Sequence, residues 1–219
     1  MIRSHPLRSL LTAILLLAGI GGTASASPLQ DEGWSWWPED TNKFSYTYAQ
    51  ARYDYLDLDT LGEADSFSGR VLVNLYKPVY VRGEYGIADN RDLDVETSGY
   101  LLSLGMHGRL DDHIDFFVEG GFTSEEAESG PVTVEADGPI VSVGLRGLSP
   151  EEKVEGELRY TYFWLEADNG PNDDFGRFYF DVIWRATDHI GLVVGGAWEI
   201  RSGAEIPYQA YGAGLRLTL

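Results

Sequence analysis

The feature that most limits what this chain can become is a two-residue rhythm that starts at Lys43 and runs to the C-terminal Leu219. Ten segments alternate apolar and polar residues, at roughly 43–57, 65–77, 79–90, 97–109, 114–127, 131–147, 153–167, 174–187, 190–203 and 207–219, and short runs of Asp, Glu, Gly, Pro and Asn separate them. Successive side chains of a strand point to opposite faces, so a period of two specifies β-strands with two different surfaces. No helical period competes. Connections this short suit hairpins, which predicts an all-β, antiparallel, up-and-down sheet of about ten strands, with eight as the alternative.

Parity then assigns the two surfaces. One is almost purely apolar: Val71, Val73 and Leu75, then Leu102, Leu104 and Met106, and so on through Leu158, Val182, Leu192 and Val194 to Leu215, Leu217 and Leu219. The other carries the ions: Arg52, Asp54, Arg70, Arg82, Glu84, Arg109, Glu119, Arg146, Glu157, Arg159, Arg177, Asp181, Arg185, Glu199, Arg201 and Arg216. A soluble, lipocalin-like barrel with an apolar interior would also alternate. Ten strands each sending several large apolar groups inward would, however, overfill a barrel of that size. The apolar face is therefore expected to point outward, into lipid, with the ionic face enclosed.

Aromatic placement points the same way. Tyr53, Tyr55, Tyr85, Tyr100, Phe122, Tyr162, Trp164, Trp198 and Tyr211 fall near one end of their strands, as in a girdle at a membrane–water boundary, and Trp184 with Phe116 marks a thinner belt at the other end. Lipid offers no water to stray backbone groups, so a spanning sheet has to close, and an even strand number puts both chain ends on one side.

Residues 1–26 read as a secretory signal: Arg3 and Arg8, an apolar run from Leu10 to Ile20 too short to span a bilayer, and Ala24-Ser25-Ala26 as cleavage site. Residues 27–42, with Trp34, Trp36 and Trp37 beside Pro38, form a Trp-rich segment expected to lie against the inner boundary or to plug the barrel mouth; residues 43–219 form the barrel. Sixteen basic against 35 acidic residues, net −19, argue against nucleic-acid binding. The absence of cysteine excludes disulfides and thiol chemistry.

The closing segment, Tyr211-Gly-Ala-Gly-Leu-Arg-Leu-Thr-Leu219, and the opening one, Phe44 to Tyr55, carry a resemblance. They resemble the last and first strands of small bacterial outer-membrane β-barrels, of the OmpA-membrane-domain and opacity-like kind. Those barrels commonly have eight strands. The resemblance implies a Gram-negative outer membrane as location, its lipids as surroundings, and recognition by the barrel assembly machinery through Tyr211, Gly214, Leu215, Leu217 and Leu219. A monomer is expected.

The enclosed face repeats opposite charges two residues apart: Arg52/Asp54, Arg82/Glu84, Glu157/Arg159 and Glu199/Arg201. Unpaired buried charge is costly, so these residues, with Arg70, Glu119, Arg146, Arg177 and Asp181, are expected to cross-link into a network that fills the lumen. The rival expectation is a narrow, arginine-lined channel of a small porin. The connections on the aromatic-rich side are acidic, including Asp57, Asp59, Glu63, Asp65, Asp89, Asp92, Asp94, Glu96 and Glu125. They read as a solvated rim; Ca²⁺ or Mg²⁺ binding is the weaker reading, because no loop has a cation-binding spacing. No cofactor is expected. His107, His113 and His189 fall near the end away from that rim, where catalytic machinery of a barrel enzyme would sit, so no enzyme is expected. The role expected is structural or surface-interacting.

Overall fold

In a computed structural model, which describes residues 43–57, 62–76, 78–90, 92–168, 172–200 and 208–219, the alternating segments form ten strands. They are β1 (Tyr48–Asp57), β2 (Glu63–Tyr76), β3 (Val79–Asn90), β4 (Val95–Asp111), β5 (Ile114–Ser129), β6 (Val132–Leu148), β7 (Val154–Ala167), β8 (Asp173–Arg185), β9 (Ile190–Ile200) and β10 (Gln209–Thr218). Each pairs antiparallel with its sequence neighbours. β1 and β10 join to close the barrel, in register from Tyr48↔Thr218 to Asp57↔Gln209. Closure satisfies the ladder groups of both edge strands, and every strand meets the ~9–11 tilted residues that a bilayer core requires. No helix among the described residues is long and apolar enough to cross a membrane.

The barrel has two distinct ends. The C-terminus and the turns β2–β3, β4–β5, β6–β7 and β8–β9 lie at what we term the inner end, and the other connections lie at the outer end. Turn chemistry is local. At the outer end Asn90 Oδ1 accepts hydrogen bonds from the backbone N–H groups of Asp92 and Leu93, both at 3.1 Å, leaving Asp94 in the left-handed region that Asp tolerates. At the inner end Asp111 Oδ1 accepts from His113 N–H, and Thr187 Oγ1 from those of His189 and Ile190.

The apolar parity faces out. Leu102 is 58% exposed, Leu104 56%, Val194 55% and Leu215 52%, an inversion of soluble-protein burial repeated around the whole circumference. Such a surface is stable only in contact with lipid or detergent. Enclosed charges complete the inversion: Arg82, Arg146, Arg159 and Glu119 are each at most 3% exposed.

Several element boundaries differ from those read in the sequence. The first strand begins at Tyr48 rather than at residue 43, because Phe44 and Tyr46 bend into the inner mouth and pack there instead of extending the ladder. β5 and β6 stay paired to Ser129↔Val132, and β4 starts at Val95, so the outer end of this wall is taller than expected. β9 ends at Ile200; residues 201–207, with Arg201, lie outside the described residues, as do the signal segment 1–26 and the Trp-rich segment 27–42.

Candidate functional site: the barrel lumen

The interior is stratified. At the inner end Phe44, Tyr46, Tyr48, Leu72, Tyr80, Phe117 and Leu148 form one buried cluster. Residues 43–47 are drawn into it: Arg146 donates to the Ser45 carbonyl at 3.1 Å, and its guanidinium lies 4.6 Å from the Tyr46 ring centre and 5.2 Å from that of Phe44. Arg216 sits 4.0 Å from the Tyr48 ring centre. These stacked cations and rings pack together across the inner mouth. Lys43 pairs with Glu152 at 2.8 Å across the rim, and its hydrogen bond holds the Glu152 carboxyl below the ordinary glutamate range.

Above the stopper lies a belt of ions. Glu119 bridges two arginines, accepting from Arg159 and pairing with Arg82, each at 3.0 Å, while its other oxygen accepts from the Tyr80 hydroxyl at 2.9 Å. Arg159 also donates to Glu157 at 2.8 Å. Arg70 donates to Glu84 at 2.9 Å and lies 3.7 Å from Asp181 and 3.8 Å from Glu157. Arg52 joins Asp54 at 2.6 Å and reaches across to Asp181. Arg82 also approaches Glu84, at 3.5 Å. Strands β1, β2, β3, β5, β7 and β8 are thereby tied wall to wall. Removing the last partner of an ion leaves a buried charge without compensation, whereas the intact pairs add little net stability over apolar packing.

Charge spacing along single strands does not single out every enclosed ion. Glu155 gathers three arginines: Arg146 at 2.5 Å, Arg185 at 2.8 Å and Arg216 at 2.8 Å. It shares the enclosed parity with Glu157, so alternation carried the signal, but opposite-charge spacing along one strand does not point to partners on the two adjacent strands, β6 and β8, and on β10 three strands away. Tyr46, Tyr80, Phe117, Ile140, Phe163 and Ile183 are likewise enclosed, so towards each end the inner face mixes rings and aliphatic groups with its ions.

These buried ion pairs lie in the inner and middle parts of the lumen. Towards the outer end the enclosed positions carry small residues, including Ala64, Ser66, Ser68, Gly86, Ala88 and Ala197, and a cavity of about 510 Å³ remains. It runs from Gln50 and Arg52 at its floor to Leu93, Val95 and Tyr208 at the rim. On its β8 side Arg177 donates to Glu199 at 2.7 Å and lies 4.5 Å from the ring centre of Tyr208, 5.3 Å from that of Phe163 and 5.2 Å from that of Phe175.

On the outside, Tyr53, Tyr55, Tyr85, Tyr100, Phe122, Trp164 and Tyr211 are exposed near the outer end, and Trp184 near the inner. Tyr162 and Trp198 are half-covered by neighbouring rings, Trp198 stacking on Phe180 at 4.9 Å and Tyr162 meeting Trp164 at 4.6 Å. Beyond the rings runs a carboxylate row in register across four strands, Asp65↔Asp89, Asp89↔Glu96 and Glu96↔Glu128. Of the closing-strand residues, Tyr211, Leu215, Leu217 and Leu219 face out and Gly214 packs on β1 at Ala51. His107 stacks on Tyr46 at 3.7 Å beside Asp115, inside the stopper, and His113 and His189 occupy inner-end turns. No trio of His, Cys, Asp or Glu among the described residues is grouped to hold a metal ion.

An apolar exterior, an ionic interior and a closed antiparallel meander define a transmembrane β-barrel of the outer-membrane type. No known protein family matches the chain, and no curated protein matches it in sequence. Similar solved structures exist. The NanC porin is matched at 9% identity over 78% of this chain and 100% of its own, with a TM-score of 0.49, and the outer-membrane protease OmpT of Escherichia coli at 11% over 79% and 94%, with 0.46. A loop L8 deletion mutant of OmpT, an outer-membrane protein of Vibrio cholerae, is matched at 12% over 77% of this chain and 62% of its own, with 0.39, so this chain spans less than two-thirds of that one.

Proposed function

We propose that the chain is a non-enzymatic, non-conducting barrel of a Gram-negative outer membrane that turns its acidic rim and outer cavity to the exterior. The inner end then faces the periplasm. The observation that carries this reading is the stopper: three aromatic rings from residues 44–48 stack on Arg146, which is itself anchored to Glu155 at 2.5 Å. A permeating ion would have to part both this layer and the cross-wall pairs of the belt, leaving charges uncompensated in a confined space. Planar-bilayer recording of the refolded chain tests it: no defined single-channel steps are expected, and reproducible steps in the native protein would refute it. A small porin is the second reading, favoured by the outer cavity of about 510 Å³, which supplies a ready vestibule. Under that reading Arg82→Ala enlarges conductance with little loss of stability. Under ours it lowers thermal stability and leaves the barrel silent.

A further inference from the structure

From the chemistry of its walls, we infer that the outer cavity is a binding cup for a neutral, hydroxyl-rich small molecule of mono- to disaccharide size. This deepens the reading of a sealed barrel, because a floor of cross-linked ions turns a vestibule into a dead-ended pocket. At about 510 Å³ the space lies within the range of ordinary small-molecule sites.

Three features select the ligand. The β2–β4 wall offers half-buried hydroxyls, those of Ser66, Ser68 and Thr97, and the amide of Gln50 stands at the floor. The opposite side presents the rings of Tyr179, Tyr208 and Phe163. A sugar has the same division, with hydroxyls around its edge and C–H groups on its faces, and apolar rings complement the faces. The third feature is charge balance. The guanidiniums on the cavity are each engaged by a carboxylate, Arg52 by Asp54, Arg70 by Glu84 and Arg177 by Glu199. An anionic solute would have to break such a pair or remain uncompensated, whereas a neutral polyol can hydrogen-bond to the outer lone pairs and N–H groups of intact pairs.

The probes are sucrose and glucose, with glucose 6-phosphate and glucosamine as charged counterparts, presented to the full chain refolded in detergent and read by saturation-transfer NMR. Sucrose or glucose is expected to receive saturation. Ser68→Trp, which fills the cup, should reduce the signal at least fivefold, and Leu102→Trp on the lipid face should leave it unchanged. Ala88→Leu serves as a second filling variant, and the gel shift on boiling verifies that each variant folds. Absence of binding by both neutral sugars, a signal indifferent to filling, or preference for either charged analogue would overturn the inference. Sucrose-driven swelling of liposomes carrying the barrel separates the two readings. Swelling with intact binding refutes the seal and leaves the cup standing, whereas neither swelling nor binding refutes the cup alone.

Discussion

Glu155 is the residue on which the inner half of the barrel depends most. Its two oxygens meet Arg146, Arg185 and Arg216, and it is almost fully enclosed. Glu155→Gln keeps the shape and removes the charge, stranding buried cations; a loss of about 3–5 kcal/mol is expected, the usual cost of breaking a buried pair. Arg82→Ala should cost less, since Glu119 keeps Arg159 and the Tyr80 hydroxyl. Urea unfolding in lipid vesicles, followed by tryptophan fluorescence, ranks the two; equal midpoints would contradict the ranking. At the rim the Lys43 hydrogen bond lowers the Glu152 carboxyl in the folded state. A depressed folded value means that the clamp's contribution is present above the ordinary glutamate value of roughly 4.3 and is lost as pH falls through the lower folded one. An NMR titration of the Glu152 carboxyl should show a midpoint below the ordinary value, returning to it in Lys43→Ala.

At the scale of elements, β6 contains the least tolerant backbone position. Its ladder with β7 runs from Leu148↔Glu155 to Ile140↔Phe163 and resumes at Asp137↔Glu166, skipping Gly138 and Pro139. Proline has no N–H to give the ladder and suits such a gap, while a Cβ on Gly138 would collide with the Trp164 carbonyl oxygen, a backbone atom that cannot swing aside. Gly138→Val is therefore expected to abolish folding into the heat-modifiable form, visible as loss of the gel shift between unboiled and boiled samples. The stopper behaves differently, because Phe44 and Tyr46 contribute side chains to the inner mouth and precede the strand ladder, which this segment meets at Thr47, whose carbonyl accepts from Leu219 N–H at 3.1 Å. Replacing Phe44 and Tyr46 together by Ala should leave the gel shift intact and introduce measurable conductance; a silent, folded double variant would mean that the ionic belt alone seals the lumen.

For the whole molecule, the inverted surface sets the solvent. Leu102→Arg puts a charge among the outward apolar groups of β4 and should cost about 2–4 kcal/mol in a bilayer, the range for a cation at mid-depth. The carboxylate row at the outer rim places like charges on directly opposed positions of adjacent strands, which is destabilising. With net charge −19 the repulsion is weakly screened at low salt, and the Debye length falls to ≈ 10 Å at 0.1 M. Raising ionic strength from 10 mM to 500 mM should therefore raise the unfolding midpoint, and a Glu96→Gln variant should respond less.

Alternation by itself determined the antiparallel meander of about ten strands and which residues share a face, because a period of two leaves no freedom within a strand once its register is set; side-chain volume and aromatic placement were needed to say which face is enclosed. It also brought Arg52, Asp54, Arg70, Arg82, Glu84, Glu119, Arg146, Glu157, Arg159 and Asp181 to one interior. Only the tertiary structure decided who pairs with whom. Arg52 meets Asp181 and Arg159 meets Glu119 across the lumen, and such contacts depend on barrel diameter and strand stagger, which no single strand encodes. The same holds for the division of the interior into stopper, belt and cavity. Parity says that Phe44, Tyr80, Ser68 and Ala88 all point inward, but whether the space they share is full or empty is a sum of side-chain volumes around a closed ring, fixed only when the ring closes.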